Sequence, residues 1–289
     1  MTTWTRRSVV RHTAGLAAAL ALPAARWAVA QNGDRAFPPH RIADHLYYVG
    51  SKALAAYLIT TDQGHILINS CFPETVPLIQ ASVEKLGFKF RDVKILLGSH
   101  AHNDHMAGNA LVRRITGARV LVMEGDDGIV RTGGSGDFQY DSAWEPCPVD
   151  EVLKDGQKVT LGGMSLTALK TSGHTRGCTT WVLTVKDGGR ELRAVIIGSP
   201  NVNPGYKLVG NTKYPTIAED YARTFRVLKA QKCDLFLGAH GDYYGLPAKY
   251  DRLGTGGANP FIDPAGYRAY VDDREKAYLT ELARQKSGG

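Results

Sequence analysis

The residues of this chain best suited to chemistry are concentrated in one short run, His100-Ala101-His102-Asn103-Asp104-His105. Imidazole nitrogen and carboxylate oxygen are ordinary zinc ligands, and so many desolvated imidazoles beside an aspartate would be costly without a metal. His100 and His102 lie two residues apart after a predicted strand, where an extended backbone points both rings to the same side. Four potential ligands in six residues can hardly all reach one tetrahedral ion, so the run predicts a site for two ions.

Each ion then needs a further ligand from elsewhere in the chain, and two isolated histidines have suitable settings. His174 follows a predicted strand in a glycine-containing turn, and His240 comes immediately after an apolar strand. Loops held at the ends of strands are where a preorganised site is usually built. A lone histidine is more often a surface or satisfied core residue, which is what we expect for His40, His45 and His65.

The elements that must position these residues mix strands and helices in both halves of the chain. Period-2 and β-rich runs predict strands at 47–49, 55–59, 65–68, 93–97, 119–123, 158–161, 165–170, 179–185, 192–197 and 235–237. Amphipathic patterns predict helices at 73–86, 107–115, 217–228 and 264–284. No Pro/Gly/Ser linker divides the halves, so residues 31–289 are predicted to form one α/β domain, with two mixed sheets packed together and helices outside.

The amino terminus predicts an export signal over residues 1–30. It opens with a basic segment containing Arg6 and Arg7, continues through a small apolar run, and ends Ala28-Val29-Ala30 before Gln31. The adjacent arginines resemble the twin-arginine signal, which carries folded proteins across a membrane. An uncleaved amphipathic helix is the alternative, and the Ala-Val-Ala cleavage site disfavours it. We therefore expect a periplasmic protein.

Charge and hydropathy exclude two classes of partner for the mature part. The chain is formally +7, and removing the four arginines of residues 1–30, which contain no acid, leaves +3, too mild to indicate nucleic acid. Beyond the amino terminus no apolar run approaches the ~20 residues of a membrane span. In an oxidising compartment the cysteines would allow one or two disulfides, with three full pairings among Cys71, Cys147, Cys178 and Cys233.

The histidine run, followed at a distance by Gly173-His174-Thr175 and Ala239-His240-Gly241, resembles the metallo-β-lactamase superfamily. The likeness extends from about Ile42 to the carboxyl end and implies an αββα sandwich with the metals at one edge. Carried over to this sequence, it implies a first zinc ion held by His100, His102 and His174. It implies a second zinc ion held by Asp104, His105 and His240.

The residues after the predicted strand at 194–197 narrow the substrate class. Glyoxalase II, lactonases and related members carry an aspartate there that bridges the metals, whereas this chain reads Gly198-Ser199-Pro200-Asn201. The third subclass of metallo-β-lactamases has serine at that position and is also similar over 173–181, 204–206, 214–215 and 219–221. The resemblance implies that Ser199 and Asn201 bind the substrate carboxylate, although Ser199 could instead only cap the strand. Asn69 stands where many members have an aspartate supporting a metal-bound histidine.

We expect a monomer, and the resemblance implies an enzyme with a small-molecule substrate. Hydroxide held by two Zn²⁺ would open the amide bond of penicillins, cephalosporins and carbapenems, conferring antibiotic resistance, and Asp104 would orient the hydroxide as well as bind metal. One alternative is a related hydrolase of lactones, thioesters or phosphoesters, which the missing bridging acid disfavours. The other is a non-enzymatic zinc-binding protein, which is disfavoured because His₃ and Asp-His₂ sets leave the open coordination position of a catalytic site.

Overall fold

The computed structural model of the protein describes Met1 and residues 35–288. The predicted export signal, apart from Met1, therefore lies outside the described residues. Over the part of the chain that is described, no helix has both the length and the apolar character needed to cross a bilayer.

The first sheet has seven strands whose spatial order follows the sequence. They are β1 (His40–Ala43), β2 (Leu46–Tyr48), β3 (Tyr57–Thr61), β4 (Gly64–Ile68), β5 (Val93–Leu97), β6 (Arg119–Met123) and β7 (Glu151–Leu153). Neighbours pair antiparallel from β1 to β4 and parallel from β4 to β7. Parallel pairing requires crossover connections, which contain the helices α1 (Val76–Lys85), α2 (Asn103–Met106), α3 (Asn109–Thr116) and α4 (Asp127–Thr132).

The second sheet has five strands in the order β12-β11-β10-β9-β8. They are β8 (Lys158–Leu161), β9 (Met164–Lys170), β10 (Thr179–Asp187), β11 (Arg190–Ile197) and β12 (Leu235–Gly238). Only the pair β11 and β12 is parallel within this sheet. The helix α5 (Ile217–Lys229) connects that pair, and α6 (Leu246–Arg252) and α7 (Pro264–Lys286) follow β12.

The side-chain alternation of the first sheet shows how the layers stack. In β4, Ile66 and Ile68 belong to the core between the two sheets, whereas Leu67 faces the core beneath α1 and α3. On the far side of the molecule, Phe225 of α5 and Val271 of α7 join the core of the second sheet. Both sheets are thus covered by helices on their outer faces, and the predicted αββα sandwich is confirmed.

The predicted elements occur with small shifts at their ends. The helix predicted from Pro73 begins as a 3₁₀ turn and becomes α-helical at Val76, and the helix predicted from Ala107 begins at Asn109. The sequence patterns missed β1, β7, α2, α4 and α6, which have three to seven residues each. Segments that short give too few repeats for a period to be visible.

The cysteines do not cross-link this fold. No disulfide joins the four cysteines, all of which lie within residues 35–288 and are buried. Burial raises the pKa of the Cys147 thiol to about 11 and that of Cys233 to about 12, so both are protonated at neutral pH. The disulfides that an oxidising compartment would allow are therefore not part of this structure.

Hydrogen bonds join β10 to the segment after β5, and join the segment before β3 to the segment after β12. The Trp181 indole Nε1 donates to the Gly98 carbonyl over 3.0 Å, and the Thr179 amide donates to the Ser99 carbonyl over 2.7 Å. On the other side, the Ala55 amide donates to the Ala239 carbonyl over 3.0 Å. These three bonds place the histidine run next to loops from the second sheet.

Candidate metal centre

Three imidazoles meet where β5 and the turn between β9 and β10 come together. His100 and His102 follow β5, and His174 lies in the turn. One nitrogen from each ring lies within 4.8 Å of one nitrogen from both of the others. All three residues are buried, so we define them as the first triad.

A second group of ligands adjoins the first. The Nε2 atom of His105 lies 3.1 Å from Asp104 Oδ2 and 3.1 Å from His240 Nε2, and His240 Nε2 lies 3.6 Å from Asp104 Oδ2. Asp104, His105 and His240 form the second triad. The rings of His100 and His105 are 4.1 Å apart between centroids, so the two triads lie side by side. The structure thus brings together all six residues that the sequence suggested as metal ligands.

Burial fixes the charge state of these side chains. Burial, with the neighbouring imidazoles adding to it and Asp104 opposing it, lowers the pKa of His102 to about 4 and the pKa values of His174 and His240 to about 3. The pKa of His100 falls well below its usual range for the same reasons. For Asp104, burial raises the pKa, but its imidazole neighbours outweigh burial and hold it below the ordinary value. At neutral pH the imidazoles of His100, His102, His174 and His240 are neutral and the Asp104 carboxylate is ionised, as metal ligation requires.

The side chains of the two triads are suitable metal ligands, and two of their buried nitrogen atoms lack a hydrogen-bond partner within the described residues. The buried His102 Nε2 and His105 Nδ1 have no hydrogen-bond partner in the described part of the chain. His105 and His240 point their Nε2 atoms at each other and at a carboxylate oxygen, an arrangement that a shared cation would stabilise. Neutral imidazoles with a single carboxylate are the ligand chemistry of zinc.

The outer nitrogen of His174 is fixed by the backbone. Its Nδ1–H donates to the Asn201 carbonyl over 2.8 Å, and the same carbonyl accepts the Tyr221 hydroxyl over 2.6 Å. The Tyr206 hydroxyl donates to the His174 carbonyl over 2.8 Å. Such outer bonds set the tautomer and ring orientation of a ligating histidine, leaving Nε2 for the metal.

Ser199 and Asn201, suggested as substrate contacts, have different surroundings. Asn201 lines the open cavity in front of the triads, whereas Ser199 is buried and does not line it. The Tyr243 hydroxyl lies 3.2 Å from Ser199 Oγ and accepts the Asn201 side-chain amide over 2.9 Å. Tyr243, which the sequence did not single out, therefore stands where Ser199 was expected to meet a substrate.

Within residues 35–288, the Asn69 side chain makes no hydrogen bond to a histidine ring. Its Oδ1 accepts the Ser99 amide over 2.8 Å, and its Nδ2 donates to the Ala55 carbonyl over 2.9 Å. Asn69 also has a left-handed backbone with φ of 68°, which asparagine tolerates better than most residues. It supports the ligand loops through their backbone.

The cavity beside the triads has a volume of about 620 Å³, within the range of small-molecule sites. The long irregular segment after α4 forms one wall and supplies Asp137, Tyr140 and Trp144. Asn203 and Tyr243 line it from the second sheet's side, and the Asn203 amide donates to the Tyr140 hydroxyl over 2.9 Å. These lining residues carry no signal in the sequence, because each is an ordinary loop residue and only the folded chain brings them together.

The fold and ligand set together define a class of protein, an αββα scaffold with a histidine-rich metal centre where the sheets meet. A family model for the metallo-β-lactamase superfamily matches residues 53–187. The native FEZ-1 metallo-β-lactamase from Legionella gormanii is 51% identical, with 86% of this chain and 97% of that chain covered at a TM-score of 0.85. BJP-1, a subclass B3 metallo-β-lactamase of Bradyrhizobium japonicum, is 38% identical. The match covers 87% of this chain and 96% of that chain at a TM-score of 0.82.

This chain belongs to the metallo-β-lactamase superfamily, and its structural neighbours include metallo-β-lactamases of subclass B3. It is therefore a hydrolase of that superfamily, and its fold implies a metal, typically zinc. Curated relatives match a shorter segment. A hydroxyacylglutathione hydrolase from Cereibacter sphaeroides is 35% identical over 105 residues, 36% of this chain and 33% of that protein. The match spans only about a third of that relative's length.

Proposed function

We propose that this protein is a β-lactamase that uses two zinc ions to hydrolyse the amide bond of β-lactams. The carrying observation is that two adjoining triads open on one cavity, with Asp104 the single carboxylate among six ligands. By the resemblance to the superfamily, Ser199 stands at the position where glyoxalase II and lactonases have an aspartate that bridges the two metals. The structural neighbours that match almost over their full length are β-lactamases, which supports the same conclusion.

The triads would hold the two ions, the first by His100, His102 and His174 and the second by Asp104, His105 and His240. Bound zinc supplies Lewis-acid activation of a carbonyl group and of water. Asp104 is one-quarter exposed at its side chain and ionised, so its carboxylate can accept a hydrogen bond from a water in the cavity and orient it. The chain needs no nucleophilic side chain for this reaction.

The cavity walls suit the rest of a β-lactam. Within the described residues no lysine or arginine lines the cavity, so a substrate carboxylate would meet neutral donors, among them Asn201 and Asn203. Phe72 and Trp144 offer apolar surface for the acyl side chain of the drug. We expect recognition by neutral hydrogen bonds and aromatic contact.

The test is hydrolysis of a penicillin, a cephalosporin and a carbapenem by the purified protein, with and without a chelator. We expect turnover of at least one drug, loss of turnover with chelator, and recovery when Zn²⁺ is restored. His45→Asn serves as a matched control, because His45 is an exposed histidine whose φ of 65° asparagine can adopt. Failure of the zinc-loaded protein to open any of the three drugs would refute the proposal.

A hydroxyacylglutathione thioester and a lactone belong in the same assay, because the alternative function is hydrolysis of such esters. Faster turnover of either ester than of every β-lactam would favour that alternative. We also propose that the protein is exported to the periplasm and acts as a monomer. Cell fractionation and size-exclusion chromatography test these two statements independently of the substrate.

A further inference from the structure

Asp126, at the start of α4, is a buried acid outside both triads. It occupies the N-cap position of that helix, where an aspartate normally accepts hydrogen bonds from its own helix, yet its side chain makes no such bond. The residue is 1% exposed, and none of the ion pairs found within residues 35–288 involves it. Helix capping and charge pairing therefore do not account for a carboxylate at this position.

Within residues 35–288, the Asp126 carboxylate accepts three hydrogen bonds, and all three come from loops that carry metal ligands. Oδ2 accepts the Ala101 amide over 2.8 Å and the Thr175 hydroxyl over 2.7 Å, and Oδ1 accepts the Gly177 amide over 2.7 Å. Ala101 lies between His100 and His102 in the sequence. Thr175 directly follows His174.

We propose that Asp126 is a positioning residue that sets the spacing of the first triad by joining its two ligand loops. Its carboxylate accepts a hydrogen bond from the backbone between His100 and His102. It also accepts hydrogen bonds from Thr175 and Gly177, which follow His174. The inference rests on the metal centre of the proposed function and is independent of which substrate the enzyme opens.

The packing around Asp126 shows how closely the loops are held. A Cβ atom added to Gly177 would lie 2.6 Å from the Asp126 backbone nitrogen and 2.7 Å from the Asp126 Cβ. No real Cβ approaches other atoms so closely, so a side chain at 177 would push the loop away from the carboxylate. Glycine at this position is what allows the Gly177 amide to reach Asp126.

The second triad has separate supports. The loop of His240 is tied to the first sheet by hydrogen bonds from the Ala55 amide to the Ala239 carbonyl and from the Gly241 amide to the Ala53 carbonyl. No recorded hydrogen bond joins Asp126 to Asp104, His105 or His240. A loss at Asp126 should therefore weaken the first triad more than the second.

The experiment measures Zn²⁺ affinity at each triad separately, by competition with a chromophoric chelator. In a His240→Ala background the first triad remains whole, and in a His174→Ala background the second does. We expect Asp126→Asn to raise the zinc Kd about tenfold to a hundredfold in the first background and less than about threefold in the second. Asp127→Asn is the matched control, since the neighbouring Asp127 accepts a hydrogen bond from the Gly125 amide and lies 3.9 Å from Arg131, away from the ligand loops.

Equal weakening in both backgrounds would mean that Asp126 acts only on overall stability, and this would overturn the proposal, as would an unchanged Kd. If Asp126→Asn fails to fold by circular dichroism, Thr175→Val carries the test, because it removes one of the three bonds with little change in shape. We expect Thr175→Val to raise the first-triad Kd severalfold, and no change would overturn the proposal. Because zinc affinity is the readout, the outcome stands whether or not β-lactams are the substrate.

Discussion

The two triads differ in how they are enclosed. In the first, all three imidazoles are buried, and the outer nitrogen of His174 is fixed by a backbone carbonyl. In the second, the side chains of Asp104 and His240 are each one-quarter exposed at the cavity. The difference indicates a division of labour: the first triad is built to hold its ion in fixed geometry, and the second meets water and substrate.

The largest expected effect comes from removing a ligand of the first triad. We expect His102→Ala to lower kcat/KM for a β-lactam by about a thousandfold, equivalent to ~4 kcal/mol of transition-state stabilisation. The reason is that the remaining two imidazoles cannot replace a ligand inside a buried site. Steady-state kinetics and zinc content by mass spectrometry are the measurements.

The variant to compare with it is His240→Ala, for which we expect kcat/KM to fall by about a hundredfold, equivalent to ~3 kcal/mol. The loss is smaller because water can enter the exposed second triad as a substitute ligand. His45→Asn should retain full activity and full zinc content. An equal loss for the two alanine variants would contradict the proposed division between the triads.

A change at Asn69 should affect both triads, since it bonds the backbone beside each ligand loop. In Asn69→Asp the buried side chain would carry a charge and could no longer donate to the Ala55 carbonyl. We expect the free energy of unfolding to fall by about 2–3 kcal/mol, the usual cost of leaving a buried polar group unpaired. Urea unfolding measures the change, and a stability equal to that of the unaltered protein would show that Asn69 is not a shared support.

A histidine outside both triads separates the effect of burial from that of metal binding. His40 is buried between Tyr48 and Phe261, and burial lowers its pKa to about 4. Since the unfolded chain gains this proton first, its contribution to stability is present above pH 6.5 and is lost as the pH falls towards 4. The cost between pH 7 and pH 5 is about 2 kcal/mol.

His40→Phe keeps the ring and removes the titration. We expect the free energy of unfolding of the unaltered protein to fall by about 2 kcal/mol more than that of the variant between pH 7 and pH 5. Urea titrations of both proteins at the two pH values, at one zinc concentration, provide the comparison. Parallel losses would show that His40 does not contribute to the acid sensitivity.

The smallest expected effect concerns the support of His174. Tyr221→Phe removes a hydroxyl that donates to the carbonyl holding His174 Nδ1. We expect a loss of about 1 kcal/mol of stability, the typical net value of one hydrogen bond. The zinc affinity of the second triad should not change. An equal drop in zinc affinity at both triads would contradict the separate support of the first triad.

The six candidate ligands could be suggested from the sequence because they follow predicted strands or open the next helix, where a local pattern and its chemistry coincide. His174 and His240 could be suggested from their turns alone. Asp126 could not, because the run Glu124-Gly125-Asp126-Asp127 contains three acids and nothing local shows which one is buried. Its role depends on loops that come together only in the folded chain.

The fold could likewise be predicted where elements are long and periodic, and not where they are short. β1 and β7 lie at the two ends of the first sheet with four and three residues, too few for alternation to be visible. The position of Ser199 was visible at the end of β11, but its burial behind Tyr243 was not. The export signal and the periplasmic location stay predictions.

The bonds from Trp181 to Gly98 and from Thr179 to Ser99 have a consequence for how the chain folds. They join the two sheets directly behind the first triad, so neither sheet alone can complete the metal centre. Contacts between residues so far apart in sequence form late, because the intervening chain must first be closed into a loop. A zinc ion that binds only when the sheets are docked would therefore stabilise the docked state over the separated sheets.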